Sequence, residues 1–412
     1  MRHRFVNPYS NLSRIIIFTP LIILPFVFWP YYPVPYEVTR VIFFQRLVEV
    51  LAIIGLVKIN TVSAKKFNPH IFNTLLFWVI VSVVASYFGA DWIKSLWGNY
   101  YRLDGLQTLF HLVGLAIIVM LFGHQSWSRI IISSSALGSL FISLWAIIEK
   151  TGTTWGLLTG SFTWGENVAL SFGNPNFLAG YLAVSLPALF YLHSTNKNRH
   201  QKLILLLAIL IQFSATILTG SISGLIGTVT AVAAWSWFRQ KRLRIIIILS
   251  AIFAITLLFA NWFRSYQVTG FVAEGRERII RNLVIAIGQR PLLGYGVSNV
   301  DYAFDAGNWP LEISHDVYVD KAHSILLEIV VTTGLVGLAI YFMLLFVVFR
   351  STNRILASKK HRVVGIWLTT TLIVYLVHSQ LNVISIMEEI YFWLAIGLVA
   401  GGQYQLVNKV RR

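Results

Sequence analysis

The chain has 412 residues, of which 56% are hydrophobic and only 12% charged, and its mean hydropathy is +0.69. Soluble domains carry roughly 25% charged residues, so half the usual charge is missing, and no soluble fold of this length hides so much apolar surface. The net charge is +17 and there is no cysteine, which excludes disulfides, Cys-ligated zinc and thiol catalysis.

These bounds predict an all-α integral membrane protein of about twelve transmembrane helices, each needing roughly 20 mostly apolar residues. Arg2, Arg4 and Arg14 precede an apolar run from Ile15 to Phe28. No small-x-small cleavage pattern follows, so the run reads as a retained first helix. Successive spans are expected at 15–32, 38–58, 71–89, 106–122, 130–148 and 177–193, then at 203–219, 221–238, 245–262, 324–349, 363–382 and 389–407. The seventh and eighth meet at Leu218-Thr219-Gly220-Ser221, which demands a tight turn. Span two carries Arg40, Arg46 and Glu49, costly in lipid unless they face the protein interior or an interface.

Lysine and arginine fix the expected orientation. With the N-terminus cytoplasmic, the inside segments 1–14, 58–70, 123–129, 194–202, 239–244, 350–362 and 408–412 hold 22 of the 33 Lys and Arg and no acidic residue. Both termini are therefore expected inside, in the cytoplasmic membrane. The basic excess is a topology signal with the lipid bilayer as partner, and nucleic acid is not needed to explain it. The organisation expected is helices one to nine over 1–262, a large outer loop over 263–323 before the tenth helix, and helices ten to twelve over 324–412.

Polar chemistry concentrates in the outer loops. Residues 274–288 have apolar side chains at 279, 280, 283, 284 and 287, the spacing of a helix along the membrane surface. Arg276, Arg278 and Arg281 project from its polar side, where guanidiniums either snorkel to lipid phosphates or grip diphosphate oxygens. Pro291 and Gly294-Tyr295-Gly296 then turn the chain sharply. Next, Asp320-Lys321-Ala322-His323 stands at the entrance of span ten, where an imidazole either bonds locally or acts as a general base. Gly334-Leu335-Val336-Gly337 reads as helix packing. The stretch 95–105 mixes Trp97, Tyr100 and Tyr101 with Arg102 and Asp104, suiting an interfacial aromatic belt or sugar stacking. In Asn174-Pro175-Asn176, Asn176 is placed to cap span six. There is no P-loop, no HExxH and no metal-ligand spacing, so neither metal nor cofactor is expected.

Taken in order, SLWGNYYRLDGL (95–106), SFGNPNFLAGYL (171–182), LTGSISG (218–224), GRERIIRNLVIAIGQRPLLGYG (275–296) and DKAHSILLEIVVTTGLVGL (320–338) resemble the O-antigen ligase and polymerase superfamily of envelope glycosyltransferases. The resemblance implies a GT-C-like, metal-independent enzyme. It would move a glycan from a polyprenyl-diphosphate carrier to a lipid, glycan or protein acceptor at the outer face of the membrane. By that resemblance, Arg276 matches the family's Gly-Arg motif and is expected to hold the diphosphate, and His323 matches its Ala-His motif as the base for the acceptor hydroxyl. The family often has an arginine at the start of span eight, where this chain has Ile222, leaving Arg281, Arg102 or Arg40 to take its place. Where the family often has an Asp near the end of span eleven, this chain reads His378-Ser379-Gln380-Leu381-Asn382. A small-anion permease and a noncatalytic assembly member of the same superfamily are the alternatives.

Overall fold

A computed structural model describes residues 21–29, 31, 34–58, 67–123, 125–151, 163–164, 167–240, 274–307 and 318–401. They form α1 (Glu37–Lys58), α2 (Pro69–Tyr87), α3 (Trp92–Trp97), α4 (Leu106–Phe122), α5 (Gln125–Lys150), α6 (Pro175–Thr195), α7 (Arg199–Leu218) and α8 (Ile222–Arg239). After these come α9 (Glu274–Gln289), α10 (Val300–Gly307), α11 (Ile325–Ala357), α12 (Arg362–His378) and α13 (Ile386–Ala400). The pairing of Thr163–Trp164 with Asn167–Val168 is the one strand pair among the described residues.

Helices stand at the expected positions except for spans one and nine: 245–262 lies outside the described residues, as does 15–20. Among the described residues five helices are long and apolar enough to cross a membrane: α2, Trp127–Lys150 of α5, α6, α7 and α11. Leu106–Phe122 and Arg362–His378 are shorter apolar helices. These lengths fit a multi-pass membrane protein.

The helix starts follow local chemistry. Asn68, Asp91, Asn198 and Ser221 each accept a backbone N–H from the first turn of the helix they precede, which satisfies donors that a helix leaves orphaned. At α6 the cap is Asn174, whose Oδ1 accepts the Asn176 N–H at 2.8 Å, with Pro175 at the first helical position. Asn176, expected as that cap, instead accepts from Ser221 Oγ at 2.6 Å and ties α6 to α8. Ser385 and Glu388 close a capping box at α13.

α6 and α13 run through the middle of the bundle, and every residue of α13 but Glu389 is buried. The helices alternate between two ends. At one, the Asn68 N–H donates to Ala400 O at 2.9 Å and its amide to Ser351 Oγ at 2.7 Å. At the other, Ile325 N–H meets Ser379 O, and Arg40 reaches Ser171 O. This second end holds the polar loops.

What the sequence presents as one long loop is, over 274–307 and 318–323, a packed cap. Ile279, Leu283, Ala286, Val300, Ala303 and Phe304 form its buried cluster, which closes onto Val331 of α11. The cap seats in a break in α11 at Gly334, whose φ is 68° and ψ −170°. Tyr295 and Gly296 N–H donate to Val331 and Thr332 O, both at 2.8 Å, while Leu335 N–H donates to Pro291 O at 2.8 Å. Gly334, read as a packing residue, is thus the point where helix hydrogen bonds are exchanged for bonds to the cap. A Cβ there would lie 2.1 Å from the Leu292 carbonyl oxygen. Gly334→Ala is therefore expected to destabilise the protein by more than about 1–2 kcal/mol, the left-handed backbone penalty alone. Gly288→Ala, on the same cap with open space around its Cβ, is expected to be neutral or slightly stabilising. Thermal unfolding of both variants in detergent checks the contrast.

Candidate active site

The site end is organised by charge pairs between the loop 98–105 and the segment 318–328. Gly98 turns the chain with φ 88°, and a Cβ there would strike the Asp104 amide. The Asn99 N–H donates to Asp104 Oδ1 and Ser298 Oγ, both at 3.0 Å, and the Asn99 amide donates to Tyr318 Oη at 2.7 Å. Lys321 Nζ sits 2.5 Å from both Asp104 Oδ2 and Glu328 Oε1. Arg102 Nε donates to Asp320 Oδ2 at 2.6 Å, and its guanidinium lies 5.4 Å from the centre of the Phe177 ring.

Burial opposes the charges of Arg102, Asp104 and Lys321, and the pairing overcomes it. Burial disfavours the Asp104 carboxylate, but Lys321 and the bonds from Ser298 and Asn99 hold its carboxyl well below the usual range. Burial likewise disfavours the Lys321 ammonium, and Asp104 and Glu328 raise it above the ordinary lysine value. Asp104 and Lys321 are therefore both charged at neutral pH, and their pairing fixes them in place.

His323 emerges from this frame at φ 57°, a left-handed conformation more accessible to histidine than to most residues. Its neighbours hold that conformation: Ala322 is buried, and Ser324 Oγ donates to Gln380 Oε1 at 2.9 Å. Nδ1 lies 3.3 Å from Lys321 O. A carbonyl only accepts, so this contact assigns the proton to Nδ1 and leaves the Nε2 lone pair free. The ring is half-buried. Burial, and next the positive charge of Arg276, push its pKa below the ordinary histidine value, against the opposing effects of Lys321 O and Asp320. A neutral imidazole with an open Nε2 is what a general base requires.

Arg276 stands in the first turn of α9, exposed, yet near enough for its charge to act on His323. It lies seven residues before Leu283, hence on nearly the same face of the helix as the buried Ile279 and Leu283. Arg281, five residues after Arg276, is rotated from it by about 140° and is exposed on the far side. The structure thus brings Arg276, Arg102 and His323 to one region and turns Arg281 away. Ile280, Val284 and Ile285 are also exposed on α9, a surface that suits contact with lipid.

Of the arginines expected to replace the one missing at Ile222, Arg40 is excluded. It is fully buried and donates to Leu24 O (3.1 Å), Glu37 Oε2 (3.1 Å) and Ser171 O (2.7 Å), stacked 4.4 Å from the Phe172 ring. That answers how span two tolerates its charge: Glu37 neutralises Arg40, and the other Glu37 oxygen accepts the Ile386 N–H. Arg46 pairs with Glu49 at 2.8 Å nearer the surface. Ile222 itself is 72% exposed, above a cluster in which Ser223 Oγ meets Ser221 Oγ at 3.0 Å and the Asn382 amide at 3.2 Å.

Sequence reasoning missed Glu388. His378 Nδ1 and Glu388 Oε2 are 2.6 Å apart, both completely buried, with Gly180 leaving room for the carboxylate. The acidic pair Glu388-Glu389 at the start of an apolar helix was the available signal. A cavity of about 180 Å3 runs inward from the charge frame between α1, α2, α4, α11, α12 and α13, with Arg102, Lys321, Glu328 and Glu389 in its wall. Beside the frame, the rings of Tyr100 and Tyr101 lie 3.8 Å apart, Tyr318 is 6.3 Å from Tyr101, and all three are exposed.

Residues 205–342 match the family model described as O-antigen ligase. That segment is similar to O-antigen ligases. This supports the O-antigen ligase and polymerase superfamily and, at that general level, glycan transfer of the ligase or polymerase type. The match runs from α7 into α11 and includes Arg276, Arg281 and His323, whereas Arg102, Arg40 and His378 fall outside it. No curated protein matches the chain.

Proposed function

We propose that the protein transfers a glycan from a polyprenyl-diphosphate carrier to an acceptor hydroxyl at the outer face of the cytoplasmic membrane, with both termini on the cytoplasmic side. His323 Nε2 removes the acceptor proton as the acceptor oxygen bonds to the anomeric carbon. The bond from that carbon to the carrier diphosphate breaks, and the diphosphate leaves with the electron pair. Arg276 binds the diphosphate and neutralises its charge, so guanidinium does here what a metal ion does elsewhere. Arg102, anchored by Asp320, borders the same region and sets the position of the segment carrying His323. Arg281 contributes to binding lipid or carrier phosphates from the other side of α9. The exposed rings of Tyr100, Tyr101 and Tyr318 offer a face on which a sugar of the acceptor stacks.

The observation that carries this reading is the half-buried His323 ring, whose Nδ1 faces Lys321 O and leaves Nε2 open, within reach of the Arg276 charge. Purified protein given a lipid-linked glycan and an acceptor should form the joined product. Flux of small anions in liposomes without lipid-linked sugar would favour the permease alternative. Absence of product from every acceptor class would favour the noncatalytic one.

Topology is tested separately, because the chain offers a cysteine-free background. In intact spheroplasts, Tyr101→Cys should react with a membrane-impermeant maleimide, and Lys197→Cys should react only after permeabilisation. The reverse pattern would place the site on the cytoplasmic side and end the proposal.

A further inference from the structure

The end of the bundle away from the charge frame holds a second polar cavity. The last turns of α6 and α8 and the first turn of α7 enclose about 280 Å3, far above the roughly 10–15 Å3 that one water requires. His193, Lys202 and Arg239 line it, and Phe190 and Trp235 form an aromatic wall with ring centres 5.7 Å apart. No acidic residue lines the cavity, and neither Lys202 nor Arg239 has an ion pair among the described residues.

Helix electrostatics account for part of this cluster. Arg239 occupies the last turn of α8, where the negative helix end favours a cation. Lys202 has no such explanation. It follows Arg199 and His200 at the start of α7, against the helix dipole and with no acid in that turn. Like charges gathered in this way repel one another unless an anion joins them. The neighbouring surface is apolar: α7 is the least buried of the five long apolar helices, with Leu203, Leu206 and Leu210 exposed.

We propose that this cleft binds the phosphate headgroup of an anionic phospholipid, whose acyl chains run along the exposed side of α7. The cationic lining selects against a zwitterionic headgroup, and the apolar flank selects for a lipid over a free phosphate. This inference is independent of the glycan-transfer reading.

The test uses the purified full-length chain in detergent, with phosphatidylglycerol, phosphatidylcholine or inorganic phosphate as probes. Native mass spectrometry gives affinity, and thermal unfolding gives stabilisation. Phosphatidylglycerol is expected to bind and to raise the unfolding temperature, while the other two leave it unchanged. The Lys202→Gln/Arg239→Gln pair should weaken phosphatidylglycerol binding about thirtyfold, about 1 kcal/mol per basic residue. The charge-conserving pair Lys202→Arg/Arg239→Lys should keep binding, as should Lys359→Gln/Lys360→Gln in the turn between α11 and α12. Unaltered binding by the neutral pair overturns the proposal. So does equal loss in the charge-conserving pair, equal affinity for phosphatidylcholine, or equal stabilisation by inorganic phosphate.

Discussion

Replacing His323 with alanine is expected to slow glycan transfer by about 10²- to 10⁴-fold, the usual contribution of a positioned general base. Membrane insertion and the unfolding temperature should stay near those of the wild type, because the ring makes one long hydrogen bond, 3.3 Å to Lys321 O, and is not part of the charge frame. The backbone at φ 57° matters to the choice of variant. Asparagine accepts that conformation readily but supplies no base at neutral pH. His323→Asn should therefore lose as much activity as His323→Ala while perturbing the fold less. A wild-type rate in either variant would remove His323 from the chemistry. The pH profile gives a second readout. The wild-type rate should hold as pH falls below the ordinary histidine pKa of about 6.5 and drop only at the lowered value of His323. Protonation of Nε2 below that value removes the base.

Replacing Arg276 with glutamine is expected to cost about 10²- to 10³-fold in transfer, the loss typical when one group stabilising a developing anion is removed. Lysine at 276 should restore only part of the rate, since a point charge cannot hold two phosphate oxygens as a guanidinium fork does. Arg281→Gln should cost far less, because α9 turns that side chain away from Arg276. A positive charge beside an imidazole disfavours its protonation, so removing Arg276 should raise the His323 pKa. The acid limb of whatever activity remains should then move to higher pH. This shift separates a local electrostatic partner from a residue that merely supports folding.

Much of the helical frame was legible in the sequence, since apolar runs of roughly 20 residues bounded by basic segments report directly on burial in lipid. The α9 helix was legible too, from its 3.6-residue spacing, whereas the cap of α6 proved to be Asn174 rather than Asn176. The seven-residue step from Arg276 to Leu283, which points Arg276 at the packed face, is likewise written in the sequence once α9 is known to be buried there. What was hidden depends on contacts between distant segments. Arg40 looked available for phosphate and is instead enclosed by Glu37, Leu24 and Ser171, 131 residues away. Gly334 resembled an ordinary packing glycine, and only the cap seated against it from 290–296 explains its conformation. Lys321 looked like half of an Asp-Lys pair beside His323, yet it pairs with Asp104 and Glu328, leaving Asp320 to Arg102. Hydropathy cannot report these exchanges of partner, because each residue type would suit either arrangement.

The central claim is that the Arg276 guanidinium and the His323 imidazole share one site. It is tested most directly by titrating the His323 ring by NMR in ring-labelled protein, with His323→Asn identifying its signal. A value below about 6.5 in the wild type that rises in Arg276→Gln is the expected result. An ordinary value, unchanged by the arginine substitution, would show that the two side chains do not act on one another and would contradict the account.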